Sequence, residues 1–136
     1  MSRVWVYQTL INSDPLTNFS ADRGYQGESL AGAPRTKPFW VYRFGNTAPD
    51  LGVPSARRQY FSVYCHDDGQ PGDYTQVDGM LAAVIQAFKD APPSPVDKIL
   101  EARWIDSSAD QNDKEMGTIL RYARFQLVFS DWPDDE

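Results

Sequence analysis

Two adjoining stretches of the chain switch hydrophobic period, and the rest of the layout follows from them. The run Gln59-Tyr60-Phe61-Ser62-Val63-Tyr64-Cys65-His66 is rich in aromatic and β-branched residues and puts Phe61, Val63 and Cys65 on one face, the pattern of a half-buried inner strand. An acidic Gly/Pro loop covers residues 67–73, and then the period changes. Val77, Met80, Leu81, Val84, Ile85 and Phe88 fall at i, i+3, i+4, i+7, i+8 and i+11, one apolar stripe along a helix. Thr75 with Asp78 approximates a capping box, so the spacing predicts a helix over residues 75–89.

Toward the N-terminus, residues 3–11 read as a short amphipathic helix with Val4, Tyr7, Leu10 and Ile11 on one face and Trp5 off it. Ser13-Asp14-Pro15 is a stop-and-restart signal that predicts a further turn through Phe19. Residues 20–38 carry Gly24, Gly27, Gly32, Pro34 and Pro38 and read as loop, with Tyr25 and Leu30 as anchors. A second strand spans residues 39–44, with Phe39, Val41 and Arg43 on one face and Trp40, Tyr42 and Phe44 on the other. Residues 45–57 read as a long, polar connection between two antiparallel neighbours; loops of this length are commonly functional.

Past the central helix, Ala91-Pro92-Pro93-Ser94-Pro95 forbids continuation and favours an extended linker. Residues 98–106 alternate as a strand with Leu100, Ala102 and Trp104 expected toward the core. Residues 107–117 are polar and acidic, and residues 118–130 form a last strand with Ala123, Phe125, Leu127 and Phe129 on one face and Tyr122, Arg124 and Gln126 on the other. The tail 131–136 carries four acids and is expected to fray. The order α-β-β-α-β-β predicts an α+β fold: a four-stranded, mostly antiparallel sheet with two helices on one face. The helical crossover leaves open a parallel alignment of the second and third strands.

Composition narrows the classes. The 136 residues suit one domain that buries roughly 65–70% of its unfolded surface. The single cysteine, Cys65, excludes an internal disulfide and sits on an apolar strand face, which suggests a packed, inert thiol and a reducing site of folding. No signal-like N-terminus and no run of about 18 apolar residues occurs, so the expectation is a soluble protein with no membrane partner. A net charge of −6 argues against a general nucleic-acid-binding surface.

His66-Asp67-Asp68 is the one cluster that could bind a divalent ion or act as acid and base. A solvated turn is the plainer reading, because adjacent strand-end residues point to different sides. Cys65 as a nucleophile would need a base, and His66 beside it faces the other way. No nucleophile elbow, phosphate loop or zinc-protease motif is present, so no enzyme, cofactor or metal is expected. Trp40, Tyr42, Tyr60, Tyr64, Trp104 and Tyr122 are more strand aromatics than a one-sided small sheet requires. With Arg58, Arg121 and Arg124 they compose a candidate subunit interface, against the alternative of a core on both faces.

The segment from Arg58 through Asp67, followed by Gly72-Asp73-Tyr74-Thr75-Gln76-Val77-Asp78 and an apolar helix, resembles the tail terminator proteins of long-tailed bacteriophages, notably those of actinobacterial hosts. Trp104, the polar loop after it, and Gly117-Thr118-Ile119-Leu120-Arg121-Tyr122-Ala123-Arg124-Phe125 resemble that family's closing hairpin, and the likeness covers nearly the whole chain. The resemblance implies a non-catalytic virion subunit, assembled in the host cytoplasm, that forms a hexameric ring on the head-proximal end of the tail tube. Such a ring stops tube polymerisation and offers the joining surface for the head. The implied partners are further copies of the chain, the tail tube protein and a head-completion or neck protein, with DNA passing through the lumen unbound. Another neck or tail-tube component is the alternative. Loop length and chemistry then nominate Asn46, Asp50, Leu51 and Arg57, and Asp110, Asp113, Lys114 and Glu115, as docking-loop residues.

Overall fold

A computed structural model describes residues 2–20, 24–26, 38–49, 56–68, 73–94, 99–113 and 117–130. The elements in chain order are helices α1 (Ser2–Ile11) and α2 (Asp14–Ser20), strands β1 (Gly24–Gln26), β2 (Phe39–Pro49) and β3 (Ala56–Asp68), helix α3 (Thr75–Asp90), and strands β4 (Ile99–Ser107), β5 (Gln111–Asp113) and β6 (Thr118–Ser130). They build a six-stranded sheet in the order β1-β2-β3-β6-β4, with β5 also paired to β6. The β1–β2 pair is parallel and every other pair antiparallel.

The mixed, mainly antiparallel architecture agrees with the expectation, but four strands and two helices become six and three. The additions β1 and β5 are three residues each, shorter than any period the sequence can display. Strands β3 and β4 run in the same direction on either side of β6, so the crossover through α3 leaves room for one strand between them. Among its described residues the expected loop 45–57 is mostly ladder: after an irregularity between Phe44 and Thr47, β2 continues as Thr47↔Gln59, Ala48↔Arg58 and Pro49↔Arg57, and residues 50–55 lie outside the described residues. Gly45-Asn46 sits at that break, where a bulge commonly places such residues.

One face of the sheet carries the core. Trp40, Tyr42 and Phe44 on β2 pair across to Cys65, Val63 and Phe61 on β3. Val63 and Phe61 pair in turn with Ala123 and Phe125 on β6. Helix α3 lays Val77, Met80, Leu81, Val84 and Phe88 on this face, as its stripe predicts. Helix α1 is turned relative to expectation: Val6 and Leu10 are fully buried while Val4 is 56% exposed. Trp5 meets Phe88 at 5.8 Å, and Tyr7 meets Trp40 and Tyr42 at 6.0 and 6.3 Å, so α1 is wedged between α3 and β2. Those two neighbours, not the helix's own pattern, choose which side is buried.

The N-terminus of α3 departs from the capping box. Asp73 accepts hydrogen bonds from the Thr75 backbone N–H at 2.9 Å and the Thr75 hydroxyl at 2.7 Å. These bonds hold its carboxyl below the usual aspartate range, while Asp78 ion-pairs with Arg121 at 2.9 Å instead of capping. A depressed folded value stabilises the protein above the ordinary aspartate pKa of about 3.9, and the stability is lost as pH falls through the folded value. Asp73→Ala should therefore lower the melting temperature at pH 7, with the difference from wild type closing below about pH 4. A difference that is the same at pH 3 and pH 7 would count against the carboxylate as the cause.

Candidate interaction surface

Alternation along β3 sends every second side chain to the face away from the helices, and the ladders fix what lies beside each. Arg58 is level with Ala48 and Val128; Tyr60 with Gln126; Ser62 with Arg43 and Arg124; Tyr64 with Val41 and Tyr122; His66 with Phe39 and Leu120. The face divides along its length. At the His66 end it is a second small core, with Phe39, Val41, His66, Thr118 and Leu120 all buried. Its middle is open, with Arg43, Tyr60 and Arg124 exposed and Ser62, Tyr64 and Tyr122 half-buried, while in the Arg58 row Arg58 is half-buried and Val128 buried.

The open part is basic and aromatic. The Tyr64 and Tyr122 rings lie 5.0 Å apart, and the Arg43 guanidinium stands 5.8 Å from the Tyr64 centroid. Arg124 makes a two-pronged contact with Asp106 on β4, through Nε at 2.8 Å and a terminal nitrogen at 2.6 Å. That pairing lowers the Asp106 pKa and raises that of Arg124. Arg103 pairs with Glu101 along the same strand. The Nε of Arg58 is buried and meets no acceptor among the described residues.

Five of the nine sequence-nominated interface residues, Arg58, Tyr60, Tyr64, Tyr122 and Arg124, therefore share one surface. Trp40 and Tyr42 correct the expectation: they lie buried on the helix face, beneath α1. Arg121 is also on the helix side, held by Asp78 and by the Ser108 carbonyl at 3.0 Å, so it ties α3 to β6 within the chain. Trp104 pairs with Phe125 on the helix side as expected but remains 50% exposed, because β4 is the sheet's last strand. Ala102 shares that side, whereas Ile105 falls at an irregularity and is exposed; the Leu100 side chain is outside the described residues. Arg43 was missed, although the alternation that exposes Tyr42's neighbours also points it to this face.

Of the nominated loop residues, Arg57 in β3 and Asp113 in β5 lie within ladders, and Asn46 lies in β2 at the break in its ladder. Asp110 is exposed, with its carboxylate 3.9 Å from the Arg121 Nε. Asp50, Leu51, Lys114 and Glu115, the anchor Leu30 and the tail 131–136 lie outside the described residues. The His66 ring stacks on Phe39 at 4.7 Å and 6°, with Nδ1 hydrogen-bonded to the Thr118 hydroxyl at 2.9 Å. Asp67 alternates to the opposite side, so imidazole and adjacent carboxylate do not converge. Burial lifts the Cys65 thiol to about 12, against a smaller opposing pull from Arg121, and keeps it unreactive. No described helix is long and apolar enough to cross a membrane.

No protein-family model matches the sequence, and no curated protein does. Among solved structures, the fold is similar to that of a chain in the virion of a native gene transfer agent particle, with a TM-score of 0.65 and 13% identity. The match covers 92% of this chain and 91% of that one.

Proposed function

We propose that this chain is a structural subunit of a phage-type virion and, within it, a tail terminator: a ring that caps the tail tube at its head-proximal end, stops polymerisation and presents the joining surface for the head. The observation that carries the reading is the end-to-end fold likeness to a chain of a virion particle. Virion subunits work through surfaces, and the features that distinguish this domain are surfaces: a sheet face rich in Arg and Tyr on which Arg43, Tyr60 and Arg124 are exposed, and an exposed Trp104 at the sheet's edge. His66, the one residue that suggested catalysis, is committed to packing against Phe39 and Thr118.

A ring is built from one heterologous contact repeated until it closes, and six copies is the expected number from the resemblance. The net charge of −6 per chain suits a lumen through which DNA must slide, because like charge prevents adhesion. Light scattering and negative-stain images of the protein alone, and mixed with tail-tube subunits, test the proposal. Rings, or a monomer that becomes a terminal cap on tubes and halts their growth, are the expected result. A monomer that ignores tubes would sink it, and incorporation along the tube length would assign the chain to the tube or neck components instead.

A further inference from the structure

We infer that the β4 edge of one copy, with Trp104 as its anchor, seats in the groove between α1 and α3 of a second copy of this chain. The inference deepens the ring reading by naming the contact between subunits, and it rests on that reading for the closure of the ring.

The edge carries an anchor. Trp104 is 50% exposed and its neighbour Ile105 40%, so two adjacent large apolar residues of the sheet's last strand meet solvent. The indole is nonetheless held in place, its Nε1–H shared between the Asp106 carbonyl at 3.0 Å and the Ser107 hydroxyl at 3.1 Å. A ring that is already fixed loses little freedom on binding, and Trp is among the side chains that dominate interface energetics. The surroundings are basic. Arg103 is matched by Glu101, whereas the exposed Lys89 of α3, which lines the same hollow as Trp104, is in no ion pair among the described residues.

The groove is complementary in shape and charge. It holds about 480 Å³ and is lined by the small Ala83 and Ala87 of α3 and by the half-buried Trp5 of α1, which leaves room for a bulky ring against an apolar surface. Asp14 and Asp90 also line it, both exposed, and no Lys or Arg does among the described residues. The Asp90 carboxylate accepts a hydrogen bond from the Gln86 amide at 2.9 Å, and neither acid is in an ion pair among the described residues. An arriving Lys89 supplies the missing charge. Within one chain α3 keeps the two surfaces apart, since Ala83, Ala87 and Asp90 line the groove while Ile85 and Lys89 line the hollow beside β4. They therefore meet only between copies. Two different patches joined in this way give a head-to-tail contact, the heterologous geometry that a ring requires.

The decisive experiment is a charge exchange between two full-length chains, read by solution mass and by capping of tail tubes. One chain carries Asp14→Lys and Asp90→Lys in the groove; the other carries Lys89→Glu and Arg103→Glu at the edge. Each alone should associate at least about tenfold more weakly than wild type, because its groove and edge then bear like charge, more so at low salt and with unchanged circular dichroism. Their equimolar mixture should recover assembly, since the two chains alternate around an even-membered ring with every contact matched. Trp104→Ala, again with unchanged circular dichroism, should weaken association about tenfold or more at any salt. A mixture no better than its components would overturn the inference, as would Trp104→Ala assembling like wild type. Charge variants that form rings as wild type does but no longer cap tubes would also overturn it and make the tube protein the occupant of the groove. Each of these results leaves the ring reading standing if wild type forms rings or caps, whereas a wild-type chain that does neither sinks the ring reading and this contact with it.

Discussion

Phe61→Ala is expected to destabilise the protein by about 3–5 kcal/mol, the range for removing a buried phenyl ring. Phe61 is 1% exposed on the central strand. Its ring stacks on Phe125 at 5.1 Å and on Phe44 at 5.6 Å, and meets Phe88 edge-on at 5.2 Å. One side chain thus joins β2, β3, β6 and α3, and the rigid sheet backbone leaves little scope for collapse into the void. A domain with about 5–15 kcal/mol to lose would be left near its threshold. Urea unfolding of wild type and variant checks this: a lower midpoint with unchanged slope is expected, and a loss under about 1 kcal/mol would refute a closely packed centre.

The second large effect belongs to a residue without a side chain. Gly24 on β1 pairs with Trp40 on β2, and a Cβ built there would lie 2.1 to 2.4 Å from three carbons of the Trp40 ring. Trp40 is fully buried beside Tyr7 and Tyr42, and its Nε1 has no partner among the described residues, so the ring is held by fit. Gly24→Ala must displace either the ring or β1, and the expected cost is about 1–3 kcal/mol. Gly24→Ala combined with Trp40→Phe separates the causes. The double variant should lose less than the sum of the single losses, because the smaller ring vacates the space; strict additivity would show that the clash is not the mechanism. A milder version of the same arrangement occurs on α3, where a Cβ at Gly79 would lie 2.6 Å from the Phe19 ring of α2.

What the sequence could and could not reveal follows from how much pattern each element has. The stripe on α3 and the alternations of β2, β3 and β6 are long enough to read, and their faces came out as drawn. In α1, Val4, Trp5, Val6, Tyr7, Leu10 and Ile11 surround the helix, so only the neighbours Phe88 and Tyr42 decide that Val6 goes in and Val4 stays out. The same ambiguity misplaced Trp40 and Tyr42. Both faces of β2 are apolar at its start, Phe39 and Val41 being as buried as Trp40 and Tyr42, and nothing local says which face the helices will cover. The candidate surface was legible where β3 and β6 alternate cleanly. It was incomplete at Arg43, whose ladder partner Ser62 and, beyond that, Arg124 are distant in sequence.

The place of β6 has a consequence for how the molecule comes into being. All thirteen residues of β3 pair with β6, from Ala56↔Ser130 to Asp68↔Thr118, and β4 pairs with its other edge. Strand β6 follows both in the chain yet lies between them, so until it emerges β3 and β4 each keep an unsatisfied edge. Pairings so remote in sequence are slow to nucleate and expose chains to wrong partners while they wait. The sheet therefore stays incomplete until β6 has been synthesised. Any product truncated before Thr118 lacks an interior strand of its own sheet and has no complete sheet face to present.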